Sequence, residues 1–200
     1  MSVVDLAPAE RHRRFAGDFA GLTRGVDDWS SPAPVAGWTA RDVVAHLVEW
    51  FPPFLAGGGV ALAVGPGASD DPVAAWQHQA DAVQALLAER GDEEFSHPRA
   101  GTHRVADAVD RFYTADVFMH SWDLARASGQ DVDLDEDYAA TLLEGMRPIE
   151  EMMRSSGQYG PAVPVSDDAP VVDRLMAFVG RDPGWRGLTG PRDEAIRAAP

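Results

Sequence analysis

The chain contains neither cysteine nor lysine. Without cysteine it cannot form disulfide bonds, use a cysteine nucleophile or bind metal through thiolate. Any bound metal must therefore use histidine, carboxylate or backbone oxygen atoms. A mechanism with a Schiff-base lysine is also excluded, because all 17 basic residues are arginine.

Basic surface and long apolar stretches are scarce as well. The chain has 32 acidic against 17 basic residues and a formal net charge of −15. Such a chain is not expected to bind nucleic acid or an anionic membrane surface. No segment approaches the roughly 18 consecutive apolar residues of a membrane-spanning helix, and the first residues lack the pattern of a secretory signal. We therefore expect a cytoplasmic protein.

Apolar residues recur at spacings of three and four along most of the chain, which predicts helices. The predicted helices cover residues 8–25, a segment from Thr39 that ends or kinks at Pro52 and Pro53, and residues 70–91, 105–128, 138–156 and 169–180. Residues 57–69 and 92–102 are interpreted as loops. Alternating strand patterns are scarce, so we predict an all-α fold. With 200 residues, we expect one domain over 1–186 and a loosely ordered tail over 187–200.

Three residues on two predicted helices have the chemistry of a metal site. Asp116 and His120 are four positions apart and share a helix face. His46 on the second helix would complete a two-histidine, one-carboxylate set with positions open for water or substrate. The competing interpretation is an internal Asp–His hydrogen bond, and a lone histidine on an apolar face is more often a core residue than a ligand.

Asp123 leaves three interpretations open. It could orient the imidazole of His120, replace Asp116 as the carboxylate ligand, or be a surface residue paired with Arg126 or Arg104. The sequence slightly favours the surface position. The other histidines, His12, His78, His97 and His103, lie in polar or loop contexts and do not suggest a second site.

Two motifs resemble a known family. They are Gly-Trp-Thr-Ala-Arg-Asp-Val-Val-Ala-His-Leu at 37–47 and Ala-Asp-Val-Phe-Met-His-Ser-Trp-Asp-Leu-Ala-Arg-Ala at 115–127, with further similarity at 159–169 and 180–185. They resemble the DinB-like / mycothiol-dependent maleylpyruvate isomerase superfamily, in particular its actinobacterial metal-binding branch of unknown function. The resemblance implies an up-down-down-up four-helix bundle with additional C-terminal helices. It also implies metal ligands at His46, Asp116 and His120, where the isomerase has Glu in place of Asp116.

The family resemblance further implies a low-molecular-weight thiol, mycothiol or bacillithiol, as cofactor or co-substrate, and a homodimer. We expect a divalent metal, zinc first and nickel, iron or manganese as alternatives, that activates such a thiol or water for attack on a small electrophile. The alternatives are a non-catalytic metal-binding or small-molecule-binding module, as in a stress response, and a structural protein whose three residues form an internal hydrogen-bond network.

Overall fold

The structure is a computed structural model that describes residues 2–187. Its helices are α1 (Pro8–Arg24), α2 (Ala40–Glu49), α3 (Phe51–Gly57), α4 (Pro72–Arg90), α5 (Val105–Ala108), α6 (Ala115–Ser128), α7 (Glu136–Met146), α8 (Glu150–Ser155) and α9 (Val171–Phe178). Short 3-10 turns span Val3–Asp5 and Arg147–Ile149, and a π-helical turn spans Val109–Thr114. The predicted all-α fold is confirmed. All but the first residue of the tail predicted at 187–200 lies outside the described residues.

Local sequence signals account for most helix ends. Thr39 and Asp42 form the expected capping box at the start of α2, each side chain accepting a hydrogen bond from the other's backbone N–H. Asp71 caps α4 by accepting from the backbone N–H of Ala74. Gly129 ends α6 in the left-handed conformation, with φ of 68°. These ends agree with the predicted ones within a residue or two.

Four helices form a bundle, and residue pairs give their directions. α5, the π-helical turn and α6 follow one another without a break and are called here the fourth helix. α1 runs parallel to it, since Arg11 pairs with Asp110 and Phe15 packs on Phe118 with ring centroids 5.0 Å apart. α4 runs antiparallel to α1, since Trp76 Nε1 donates to the carbonyl of Ala16 and Gln84 Nε2 to that of Ala9.

α2 runs antiparallel to the fourth helix. Tyr113 donates from its hydroxyl to the carbonyl of Leu47, whereas Trp38, just before α2, stacks on His120. α1 and α2 each pack against both α4 and the fourth helix, so they occupy opposite corners of the bundle. The order is up (α1), down (α2), down (α4), up (fourth helix), as the family resemblance implied.

Two segments differ from the sequence prediction. Residues 92–102, interpreted as loop, contain most of an antiparallel hairpin of β1 (Glu94–His97) and β2 (Gly101–Arg104). The strands are only four residues long and bury a single large side chain, Phe95, so they give almost no alternating pattern. The helix predicted at 138–156 is broken into α7, a 3-10 turn and α8, because Pro148 cannot continue the α-helical hydrogen bonds.

The segment beyond the bundle packs back on it. α7 places Tyr138 against Phe15 and Phe118, and α9 packs on α7. The backbone N–H of Val163 donates to the carbonyl of Ala177 at 2.9 Å, so the segment before α9 is held against the last turn of that helix. Within residues 2–187, no helix combines the length and the apolar character needed to cross a membrane.

Candidate metal centre

The structure brings the three predicted ligands together between α2 and the fourth helix. His46 lies near the end of α2, and Asp116 and His120 lie one turn apart on α6. His46 Nε2 is 3.1 Å from Asp116 Oδ2, and His120 Nε2 is 3.5 Å from Asp116 Oδ1. The two imidazole rings meet edge to face with centroids 4.8 Å apart.

This geometry is compatible with a metal ion. One ligand atom from each residue can be chosen so that all three lie within 4.8 Å of one another. Bond lengths of about 2.0–2.1 Å in a tetrahedral zinc site put ligand atoms roughly 3.3 Å apart. The distance from each Nε2 to its nearer Asp116 oxygen is close to that value, and the two histidines face different oxygens of the carboxylate. Both histidines thus present Nε2 to the same carboxylate, as ligands of one ion would.

The cluster is buried on one side and reachable on the other. The side chain of His120 is 4% exposed, whereas those of Asp116 and His46 are 16% and 32% exposed. A small molecule would therefore approach from the side of His46 and Asp116.

Asp116 is held as a carboxylate. Burial alone would raise its pKa, but the adjacent His120 and the hydrogen bonds from His46 and Trp50 outweigh burial and lower the pKa below its ordinary value. Trp50 Nε1 donates to Asp116 Oδ2 at 2.9 Å. An anionic carboxylate between two imidazoles combines ligand types that suit divalent cations.

Two tryptophans frame the imidazoles. Trp38 stacks on His120 with centroids 5.7 Å apart and packs against His46 at 5.1 Å. Trp50 lies against His46 at 6.1 Å. These ring contacts restrict the motion of both imidazoles.

Asp123 is not the surface residue that the sequence slightly favoured. Its side chain is fully buried, and its Oδ2 lies 2.9 Å from His120 Nδ1. It therefore orients the imidazole from behind, the first of the three interpretations. Its partner is Arg181 rather than Arg126 or Arg104, with Arg181 Nη2 3.0 Å from Asp123 Oδ2. As for Asp116, burial would raise the pKa of Asp123, but His120 and Arg181 lower it.

The sequence analysis did not predict that Arg181 and Tyr159 lie near the cluster. Tyr159 is half-buried near Asp116 and Arg181, and burial together with the Asp116 charge raises its pKa to about 12. Both residues come from the segment after the bundle, more than thirty positions from Asp116. Their presence in the similar segments at 159–169 and 180–185 was the one signal that pointed to them.

Two arginines of the fourth helix and His12 lie elsewhere. Arg126 lies over the ring of Trp122, and Arg111 lies over that of Phe112. The polar context predicted for His12 is wrong, because His12 lies on α1 with its side chain fully buried. Its position one turn before Phe15 and Ala16, on the apolar face of α1, was the signal for this.

A four-helix bundle with a His/Asp/His cluster between its second and fourth helices is a helical domain with a group of side chains that could hold a metal ion. The comparisons with known proteins identify the family. Residues 9–125 match the family described as the mycothiol maleylpyruvate isomerase N-terminal domain, and the chain belongs to that family. The family resemblance noted from the sequence is confirmed.

Similar chains occur in Mycobacterium tuberculosis. An uncharacterised protein of strain H37Rv and one of strain CDC 1551 are each 30% identical to this chain over 179 residues. The alignment covers 87% of this chain and 97% of each relative. It therefore extends well beyond the matched domain. No solved structure matches this chain significantly.

Proposed function

We propose that the protein is a metal-dependent enzyme whose centre is His46, Asp116 and His120. A divalent cation held there, zinc in the first place, would lower the pKa of a bound thiol or water and prepare it for attack on a small electrophile. The convergence of two Nε2 atoms on one partly buried carboxylate is the observation that carries the proposal. Nickel, iron and manganese are compatible with the same ligands.

A low-molecular-weight thiol is the favoured nucleophile. The chain has no cysteine, so a reacting sulfur atom must come from outside. The family to which residues 9–125 belong carries mycothiol in its description, which supports a mycothiol-like thiol. It would reach the cluster from the exposed side, at His46 and Asp116.

The chain's own residues have separate tasks in this proposal. His120 and Asp123 form the buried, rigid part, while Trp38 packs against both imidazoles. We treat residues 1–186 as one functional domain because Arg181 contacts Asp123. A cytoplasmic location, where small thiols stay reduced, and a homodimer, which size-exclusion chromatography would test, complete the proposal.

The first experiment is metal content by inductively coupled plasma mass spectrometry, on protein purified without a histidine tag. We expect about one divalent metal per chain in wild type, as for a three-ligand site, and loss of it in His120→Ala. His103→Ala is the matched control, because His103 lies on β2 and contacts Ala100 and Phe112. A wild type without metal after reconstitution would refute the metal centre and leave an internal hydrogen-bond network.

Catalysis is tested next, on the metal-loaded protein. Thiol consumption is followed with a panel of small electrophiles, with His120→Ala as the blank. Turnover that depends on both metal and thiol supports the enzyme. Stoichiometric metal without turnover of any thiol or water reaction would instead support the alternative, a non-catalytic metal-binding or small-molecule-binding module.

A further inference from the structure

Asp123 lies on α6, and its carboxylate is fully buried in the protein. A buried charge is strongly unfavourable unless a partner compensates for the lost hydration. Arg181 provides that partner through two nitrogens: Nη2 lies 3.0 Å from Oδ2, and Nε lies 3.3 Å from each carboxylate oxygen. Arginine is suited to this arrangement because its planar fork is always charged and meets a carboxylate with two parallel donors.

Arg181 is itself held in place by the end of α9. Its Nη1 donates to the carbonyl of Val179 at 3.1 Å, and its backbone N–H donates to that of Met176 at 2.8 Å. Gly180 precedes it with φ of 91°, and a Cβ there would come within 3.2 Å of Gly160 and Pro161. The turn that aims Arg181 at α6 therefore needs glycine. The side chain is 13% exposed, so these donors serve the protein and not an incoming anion.

The carboxylate of Asp123, held by Arg181, in turn restrains the imidazole of His120. Asp123 Oδ2 accepts from His120 Nδ1 at 2.9 Å, which leaves Nε2 facing Asp116. Partners behind a metal-binding histidine fix its tautomer and its ring orientation. Three side chains thus form a line, Arg181 to Asp123 to His120, that ends at the candidate ligand atom.

We propose that Arg181 is a positioning residue for the metal centre, acting through Asp123 on the imidazole of His120. This inference rests on the proposed function. It extends the site beyond the matched family domain, which ends at residue 125, to the segment after α9. That segment then belongs to the metal centre and is more than a support for the bundle.

The test is the affinity for Co²⁺ and Zn²⁺ of full-length Arg181→Met against wild type. Arg186→Met is the matched control, because it removes the same charge from the same segment. Among the described residues, the side-chain hydrogen bonds of Arg186 go to the carbonyls of Pro183 and Trp185. We expect Arg181→Met to bind about 10- to 100-fold more weakly and to alter the visible spectrum of bound Co²⁺. Equal affinity and an equal spectrum in Arg181→Met and wild type would overturn the proposal.

Two further variants guard against loss of folding. Arg181→Lys keeps the charge but not the fork, so we expect an affinity between those of wild type and Arg181→Met. Arg181→Met combined with Asp123→Asn removes both buried charges, while the amide oxygen can still accept from His120. We expect this double variant to fold and to bind Co²⁺ more weakly than wild type. Wild-type affinity in it would also contradict the positioning role.

A metal-free measurement separates this inference from the proposed function. Nitrogen–proton correlation spectra of protein labelled at histidine, at mildly alkaline pH, report which ring nitrogen of His120 carries the proton, with His120→Gln for assignment. We expect one tautomer, protonated at Nδ1, in wild type and mixed tautomers in Arg181→Met. If wild type binds no metal, the proposed function fails, but the spectra still test the positioning role of Arg181. An unchanged His120 tautomer in Arg181→Met would overturn that role.

Discussion

His12 makes the stability of the fold depend on pH in a window that can be calculated. The imidazole is fully buried in α1, stacks on Tyr113 at 5.9 Å, and accepts at Nδ1 from Gln84. Its Nε2 has no hydrogen-bond partner among the residues that the structure describes. Burial, with a smaller contribution from Arg13, lowers the pKa of His12 from 6.5 to about 3.

The sign follows from proton linkage. Between pH 6.5 and about 3 the unfolded chain binds a proton at His12 that the folded chain does not, so the free energy of unfolding falls as the pH falls. At 1.36 kcal/mol per unit of pKa difference, the loss between pH 7 and pH 5 is about 2 kcal/mol from this one group. At pH 7 this destabilisation is largely absent, because the imidazole is mostly neutral in both the folded and the unfolded chain.

His12→Phe isolates this effect. Phenylalanine keeps a ring against Tyr113, cannot be protonated and removes the unpartnered nitrogen. Urea unfolding of both proteins at pH 7 and pH 5, followed by circular dichroism, gives the four free energies that are needed. Between pH 7 and pH 5 we expect wild type to lose about 2 kcal/mol more of its unfolding free energy than the variant loses. This difference does not depend on the stability of the variant at pH 7. Parallel pH profiles would refute the assignment of a buried, neutral His12.

Three further changes probe the site and the bundle. Free Zn²⁺ at about 100 times its dissociation constant should raise the unfolding free energy of wild type by about 2.7 kcal/mol; Asp116→Asn, which keeps an acceptor for Trp50, should abolish most of that gain in the same urea assay. Thr39→Ala removes the capping box of α2 and should cost about 1 kcal/mol, whereas Ser30→Ala, away from any helix start, should cost less. Phe51→Ala removes a fully buried ring stacked on Tyr113 at 4.0 Å and should cost about 3–5 kcal/mol by thermal or urea unfolding.

Helix starts and stops could be read from the sequence because their causes are local. Thr39 with Asp42, and Gly129 after α6, act within a few residues of their own position. The juxtaposition of Asp116 and His120 is equally local, since one helical turn joins them. That His46 would face this pair depended on the order of helices in the bundle, which the family resemblance implied and spacing alone did not.

Asp123 shows where local reasoning went wrong. Its spacing to Arg126 suggested a surface pair, yet α6 buries nearly every position from Ala115 to Ala127. A helix that is apolar on all its faces lies inside a protein, so the residues around Asp123, such as Trp122 and Leu124, already argued against a surface carboxylate. Its partner Arg181 lies 58 positions away, and such a contact is set by the packing of α9 and not by any sequence spacing.

Three carboxylates of the fourth helix have partners inside the protein, and the partners differ in kind. Asp110 pairs with Arg11, and the fully buried Asp123 pairs with Arg181. Asp116, 16% exposed, contacts two imidazoles and an indole N–H but no arginine in the described part of the chain. A carboxylate withdrawn from water is stabilised by hydrogen bonds or by a nearby cation, and beside Asp116 such a cation would be a protonated histidine or a metal ion. A divalent metal would also use both Nε2 atoms, and this is the physical argument for testing the proposed metal centre at Asp116 first.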